Sequence, residues 1–442
     1  VSQSCKESLE FELEGDQIEI DEALNSPENI QALLNSCYDI FANIMNGRVQ
    51  NIHELLGDNL SQPENSAGSL YFTIYNRGTF SFRTADGLLS DLYQTIYRTN
   101  ILLENLDRFE TELDVPKMSA ESRFIRAWSH WEIAKIWAHP YGYTADNSHK
   151  GIAVRLESAY NVELRSPLSE VYATIIEDLK ASINDLPDAA PGYATKDAAK
   201  ALLAKVYFTM NDFANAQLYA QEVINTNVYT LDSTVDRFTP EGASETIFMT
   251  VSTGTDFINN RAQGLIQNYR SDNNPNPVLK PSKDLVSLFG DTADQRSAWV
   301  ETMEPGLPTE FYLCHKYDKD FFSVPLLTVT ELYLIAAESI LELGGDRQTA
   351  ADYVNVVRTR AYRGNTDNNL TATTVNISEV RTERRKEFCF EGLRTPELKR
   401  RGAKGEQTVI RQAPWDCPGL VLQYPASEKT EGFEMNEEGS CE

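Results

Sequence analysis

Between residues 195 and 225, apolar positions recur at three- and four-residue spacing in two blocks. Leu202, Leu203, Val206, Tyr207 and Met210 make the first block, Phe213, Ala216, Ala220, Val223 and Ile224 the second, and Asn211-Asp212 separates them. A period near 3.6 predicts two amphipathic helices joined by a tight turn. Ala204 and Ala216 are small where the helices should cross, so two backbones can approach closely. The order Leu203-Ala204, Tyr207, Ala216, Ala220, Val223 fits a tetratricopeptide-like hairpin of about 34 residues. One such hairpin cannot bury both of its faces, which predicts a second and a third.

Ser26-Pro27 opens another helical pattern, with Ile30, Leu33, Leu34, Cys37, Ile40, Phe41 and Ile44 on one stripe. Residues 47–85 then lose the period and become rich in Asn, Ser, Gly and aromatics, which predicts a long excursion. The period returns over 86–107, with Leu89, Leu92, Ile96, Leu103 and Leu106 on one face. It continues over 119–138, where Phe124, Trp128, Trp131 and Trp137 predict a helix with an aromatic core stripe; these two make the second hairpin. Ser166-Pro167 predicts the cap of a helix that keeps its period to Leu186 and stops at Pro187.

From 228 to 325 the character changes to short β-like runs, such as 246–251, among many Asn, Gly and Pro. A hundred irregular residues between helical hairpins predict a functional insertion, because long loops in compact proteins usually carry function. The hairpin pattern resumes over 328–342 and 346–362, about the turn Gly344-Gly345. A final helix over 377–393 is dense in charge, and Glu383, Arg384, Arg385, Lys386, Glu387 and Glu391 predict an ion network on its surface. Arg394, Lys399, Arg400, Arg401 and Lys404 follow as a basic cluster, expected to be solvated or internally paired.

Composition narrows the function. The 442 residues are 41% hydrophobic and 24% charged, which are globular values, and the formal charge of -26 argues against a general nucleic-acid role. No run of about 18 uninterrupted apolar residues occurs; the best candidate, 324–343, is broken by Glu331, Glu338 and Glu342. Six cysteines form no CxxC pair, which removes the usual zinc and thioredoxin-like readings. Cys37 and Cys389 read as small core residues, and Cys417 and Cys441 can pair in an oxidising compartment, a point the sequence leaves open. Cys5, near the N-terminus and followed by acids, looks like the acylated cysteine of a bacterial lipoprotein or else an ordinary exposed thiol.

Nothing singles out catalysis. His53-Glu54 lacks the second histidine of a zinc-protease helix, and neither a GxSxG elbow nor a phosphate loop is present. No pair stands out among the 66 acidic residues for glycoside hydrolysis. In 272–283, Pro277 and Lys283 occupy places where an EF-hand needs Gly and Glu. The chain is therefore expected not to be an enzyme and to need no cofactor, with a structural calcium left open.

Several strings in order resemble the SusD/RagB family, the surface nutrient-binding lipoproteins of Bacteroidetes. They include Tyr93-Gln94-Thr95-Ile96-Tyr97-Arg98-Thr99-Asn100, Phe124-Ile125-Arg126-Ala127-Trp128, Glu331-Leu332-Tyr333-Leu334-Ile335-Ala336-Ala337-Glu338 and Asn355-Val356-Val357-Arg358-Thr359-Arg360. Glu383-Arg384-Arg385-Lys386-Glu387-Phe388, Glu391-Gly392-Leu393-Arg394 and Tyr424-Pro425-Ala426-Ser427-Glu428 continue the series, which runs from Cys5 to Glu428. Thr395-Pro396-Glu397 and the tail beyond Phe433 depart from the usual family strings. Asp294-Gln295-Arg296 matches one and is read as a structural turn.

The resemblance implies a mainly α fold, with tetratricopeptide-like hairpins in a right-handed superhelical scaffold and long irregular and short-strand insertions. Residues 1–24 would be a tail with a lipid at Cys5, and 25–442 a single SusD-like domain. Its scaffold would be 25–46, 86–225 and 328–400, its ligand-side insertions 47–85 and 228–325, and its C-terminal tail 402–442. It also implies a role without chemistry: a lipid-anchored lid facing the exterior of the outer membrane, which delivers an oligomeric nutrient to a SusC-type TonB-dependent transporter. Oligosaccharide is favoured as the commoner family cargo; the alternatives are oligopeptide, or a tetratricopeptide adaptor for protein tails. The expected contacts are Tyr71, Tyr75 and Arg77 from the first excursion and Tyr269, Arg270 and Trp299 from the second, staked as a cluster.

Overall fold

Helix α1 (Pro27–Ile44) starts where Ser26 Oγ accepts the Asn29 N–H and Pro27 stands in the first turn, where no N–H is needed. Its stripe Ile30, Leu34, Cys37, Phe41 and Ile44 is buried. The computed structural model describes residues 24–64, 69–78, 86–159, 164–256, 258–438 and 441; Cys5, Phe80 and Phe82 lie outside these.

The expected excursion at 47–85 holds two helices, α2 (Arg48–Leu56) and α3 (Leu70–Tyr75). Every residue of α2 after Arg48 is buried, including Gln50, Asn51, His53 and Glu54. A helix enclosed on all sides has no polar face, so no 3.6-residue alternation marks it. Its polar side chains find internal partners instead: Glu54 accepts from Asn59 Nδ2 at 3.0 Å and from the Gly392 N–H at 2.9 Å.

Helices α4 (Asp86–Asn105) and α5 (Val115–Trp137) pack as the second hairpin, with α1 across them. Asp114 caps α5 through the Lys117 N–H, so that helix begins a turn earlier than 119. The Trp128 ring lies 5.1 Å from Phe41, 5.6 Å from Phe124 and 5.6 Å from Phe248, centre to centre, so the aromatic stripe is core. Strand β1 (Lys150–Ala153) pairs antiparallel with β2 (Arg165–Pro167). Ser166-Pro167 thus belongs to a strand, and α6 (Leu168–Ser182) follows without a side-chain cap and ends before Leu186.

The hairpin of α7 (Lys196–Thr209) and α8 (Phe213–Ile224) matches its sequence pattern. Thr195 Oγ1 accepts the Ala198 N–H, Asn211 takes φ 61° in the turn, and Asp212 caps α8. Ala204 and Ala216 have no exposed surface. The insertion that follows holds β3 (Thr246–Thr250), α9 (Gln263–Tyr269), α10 (Lys283–Val286), the antiparallel pair β4 (Val300–Met303) and β5 (Phe311–Cys314), and β6 (Val324–Thr328). Strand β6 pairs antiparallel with β3, so the two ends of the insertion meet beside α11 (Val329–Glu342). Helix α11 packs on both α8 and α12 (Arg347–Ala361). The fold is mainly α, with short two-stranded pieces.

The expected helix over 377–393 is shorter and is not the last. It is α13 (Ile377–Glu387), followed by α14 (Arg394–Ala403). Phe390 and Gly392 turn the chain with φ 68° and 81°, and a Cβ on Gly392 would lie 2.7 Å from Gln50 Cα, so only glycine admits α2 there. The charges of α13 are also not on its surface: Glu383 and Glu387 are buried, as are Arg384 and Lys386. Residues distant in sequence supply their partners. Glu387 meets Arg237 at 2.7 Å and Arg296 at 3.0 Å and also pairs with Arg360, while Arg296 forks onto Asp294 at 2.9 and 2.8 Å. Lys316 reaches Glu391 at 2.6 Å, and Arg360 reaches Glu245 at 2.7 Å. The Asp294-Gln295-Arg296 turn is thus a fastener between insertion and scaffold.

The basic cluster at 394–404 is paired internally: Arg394 with Asp58, Arg400 with Glu338, Arg401 with Glu406 and Lys404 with Glu342. Lys399 instead donates to the Leu420 carbonyl at 2.6 Å. Cys417 and Cys441 are joined by a disulfide, while Cys37, Cys314 and Cys389 are buried thiols.

Candidate ligand-binding surface

Residues on α3 and α9 share an edge because α9 docks almost backbone to backbone on the α1–α2 junction. A Cβ on Gly47 (φ 122°) would sit 2.5 Å from the Leu265 nitrogen, and one on Gly264 would sit 2.8 Å from the Asn46 carbonyl oxygen. The two glycines make that approach possible. Asn51 of α2 then donates to the Gly264 carbonyl at 3.1 Å. Tyr71 of α3 is half-buried, and its Oη accepts from Asn51 Nδ2 at 3.2 Å and from Asn268 Nδ2 at 3.3 Å.

The six expected contacts divide by burial. Tyr71 and Tyr75 are half-buried; the Arg411 guanidinium lies 3.8 Å over the Tyr75 ring and covers one face of it. Arg270 closes α9 at the surface, held by Asp272 at 2.5 Å and Asp320 at 2.9 Å. The other three are withdrawn from direct contact. Arg77 is buried, takes φ 59° and donates to the Ile410 carbonyl at 2.6 Å; burial, with Arg411 beside it, lowers its pKa to about 10. Tyr269 is wholly buried against Tyr317 and Phe390, 5.5 and 5.3 Å away. Trp299 is buried beneath the Lys316 ammonium, 4.2 Å from its ring centre. The two rings are buried because large apolar rings gain most by leaving water, and Arg77 is buried with its guanidinium held by a backbone carbonyl.

Sequence reasoning missed the amides. Asn51 and Asn268 orient Tyr71, and Asn276 donates to Glu64 at 3.0 Å on the exposed side. The only sequence signal was the richness of these loops in Asn. Three of the cations have carboxylate partners, Arg270 as above, Lys280 with Glu64 at 3.8 Å, and Arg261 with Asp39, whereas Arg77 and Arg411 donate to backbone carbonyls. What the edge presents is the half-buried Tyr71 ring, with its hydroxyl held from inside by Asn51 and Asn268 and the exposed Asn276 nearby. Such a surface recognises neutral polar groups through hydrogen bonds.

One constellation beside it has the residue types of a nucleophile relay. Ser271 Oγ lies 3.1 Å from His315 Nδ1, but Asp318 Oδ2 lies 2.7 Å from the same nitrogen, and Nε2 faces Glu301 at 3.0 Å. A relay needs the hydroxyl and the orienting carboxylate on opposite ring nitrogens. Glu301 meets that condition at Nε2, but Asp318 takes Nδ1. Ser271 is buried with its Oγ also 3.2 Å from the Cys314 carbonyl and 3.0 Å from Asp318 Oδ2, so the cluster ties the hydroxyl into the fold and does not present it to a ligand. Among the described residues, no three His, Cys, Asp or Glu side chains are grouped to hold a metal ion.

Paired helices carrying irregular insertions define a scaffold that presents a binding face. The class is that of the SusD superfamily. A protein of that superfamily from Bacteroides thetaiotaomicron superposes with a TM-score of 0.80 at 20% identity, over 93% of this chain and 99% of that one. A structure described as a laminarin binding SusD-like protein superposes with a TM-score of 0.75 at 20% identity, again over 93% and 99%. A family model described as "Starch-binding associating with outer membrane" matches residues 12–208, and a SusD family model matches 322–416. The SusD-like protein P25 of Formosa agariphila is 27% identical over 150 residues, which is 32% of this chain and 26% of that protein, so the match spans only a minor part of the relative. The chain belongs to the SusD/RagB family.

Proposed function

We propose that this protein captures an oligosaccharide at the outer membrane and passes it, unchanged, to a SusC-type TonB-dependent transporter, held at the exterior by a lipid on Cys5. The observation that carries the reading is the Tyr71 edge: a half-exposed ring whose hydroxyl is fixed by Asn51 and Asn268. Sugar rings offer apolar C–H faces to stack on aromatics and hydroxyls to pair with amides. The laminarin-binding relative of the same fold supports a glycan as cargo, and the family description supports the membrane location. The ion network beneath the insertion supports a rigid face, which lowers the entropy lost on binding.

The test is migration of the full chain in native gels containing laminarin or amylopectin, together with a Tyr71→Ala variant. Retardation by one glycan is expected, weakened about tenfold in the variant, the worth of one ring contact and its hydrogen bonds. Equal retardation of variant and parent refutes the edge as the site. No retardation by either glycan, with retention on an immobilised mixture of short peptides, moves the reading to oligopeptide cargo. Purification from outer membrane in mild detergent checks the partner: a co-purifying barrel is expected, and its absence refutes the delivery role.

A further inference from the structure

A cleft of about 700 Å³ opens elsewhere on the molecule, between α4, the segment after β1 and the turn at Ala426–Glu428. None of Tyr71, Tyr75, Arg77, Tyr269, Arg270 and Trp299 lines it. Its volume falls in the range of small-molecule sites, about 300–1,000 Å³. Tyr93 and Tyr97 stand one helical turn apart on α4, so both rings face the same wall. Gln94 is exposed beside them, and Ser427 and Glu428 face them from the turn.

The walls are held by contacts that a collapsed loop would lack. Tyr93 Oη donates to the Ala153 carbonyl at 3.1 Å, and the Arg155 guanidinium lies 5.5 Å from the Tyr93 ring centre. Asn100, further along α4, donates to the carbonyls of Arg155 at 3.2 Å and Glu157 at 3.0 Å, while its own oxygen accepts from the buried Arg126 at 2.8 Å. The Ser158 N–H donates to Glu104 at 2.7 Å. Beneath the turn, Gln423 and Asn436 exchange hydrogen bonds of 2.7 and 2.9 Å, and the Cys417–Cys441 disulfide closes the tail. A cavity with fixed walls binds without first ordering its own side chains.

We propose that this cleft is a second carbohydrate-binding site, taking a segment of a neutral oligosaccharide; the ligand class rests on the function proposed above, the location does not. Two tyrosines on one face offer stacking surface for a pyranose ring, and Gln94, Ser427 and the carboxylates of Glu157 and Glu428 accept or exchange hydrogen bonds with hydroxyls. Among the described lining residues, two carboxylates against the one guanidinium of Arg155 disfavour sulfated or uronic sugars. Two separated sites on one protein raise retention of a polymer, because the second contact forms at high effective concentration.

The experiment is calorimetric titration of laminarihexaose and of maltohexaose into the full chain, Tyr97→Ala, the double variant Gln94→Ala/Glu428→Gln, and Tyr71→Ala. The double variant changes partly exposed side chains and keeps the test sound if Tyr97→Ala folds poorly. For one of the sugars, about two molecules per chain are expected, with one event weakened about tenfold in each cleft variant and retained in Tyr71→Ala. Binding lost in Tyr71→Ala and unchanged in both cleft variants overturns the second site and leaves the proposed function standing. Binding lost only in the cleft variants supports the cleft and overturns the Tyr71 site. No binding of either sugar overturns both.

Discussion

Removing the Glu387 carboxylate should loosen the insertion from the scaffold. This side chain is wholly buried, with Arg237 at 2.7 Å, Arg296 at 3.0 Å and Arg360 around it, and its carbonyl accepts from Lys316 at 3.0 Å. Breaking a buried pair from one side costs about 3–5 kcal/mol, because it strands the opposite charge. Glu387→Ala strands three guanidiniums that keep only their other partners, Asp294, Glu383, Glu245 and Glu391. A loss of about 4 kcal/mol is therefore expected, and about 2 kcal/mol for Glu387→Gln, which keeps the shape and loses the charge-assisted bonds. Burial alone would raise the pKa of this carboxyl; Arg360, Arg237, Arg296 and Lys316 outweigh it and hold the group far below the usual carboxylate range. A depressed folded pKa contributes stability that is present above the unfolded value of about 4.3 and is lost as pH falls below it. Urea unfolding of parent and both variants between pH 3 and 7 measures this. The parent should lose stability below about pH 5, and Glu387→Gln should lose less over the same range. A Glu387→Ala cost below about 1 kcal/mol, or identical pH slopes, would refute the claim that these charges fasten the insertion.

Two further outcomes follow from buried chemistry at the C-terminal end. Reducing the Cys417–Cys441 disulfide, or Cys441→Ser, should lower stability by about 3 kcal/mol, the chain-entropy value for a loop of this order, and open the tail to limited proteolysis; an unchanged digestion pattern counts against it. Burial, with no carboxylate partner among the described residues, lowers the Lys399 pKa to about 7. Its protonated form is disfavoured in the fold, so its cost is full below pH 7 and is relieved as pH rises toward the unfolded value of about 10.4. Lys399→Met should therefore stabilise the protein most below pH 7 and least near pH 10, as read by thermal melts; a uniform shift at every pH refutes the assignment.

The hairpin α7–α8 was legible because one side of each helix meets core and the other meets water, which writes the period into the letters. Helix α2 was not, because it is buried all round and its Asn51, His53 and Glu54 look like loop residues until Gly392 and Asn59 are seen against them. Glu383 and Glu387 read as surface charges for the converse reason: their partners Arg237, Arg296 and Arg360 lie outside their own helix, where local spacing cannot reveal them. At the candidate site, an aromatic in an irregular stretch carries no mark of its depth. Tyr71 and Tyr269 are alike in sequence context, yet one lies at the edge and the other in the core. The amides that orient Tyr71 come from residues 20 and 197 positions away.

The side chains that grip the long insertion and those that face outward from it are different sets. Arg237, Asp294, Arg296 and Lys316 point inward to α13 and the turn after it, whereas Asn273, Pro275, Asn276 and Val278 are exposed. Substitution at the outward positions leaves the inward salt links untouched, so that surface can change while the architecture persists. The buried charges thereby act as a hinge pin for diversification: they fix one set of residues so that its neighbours can change.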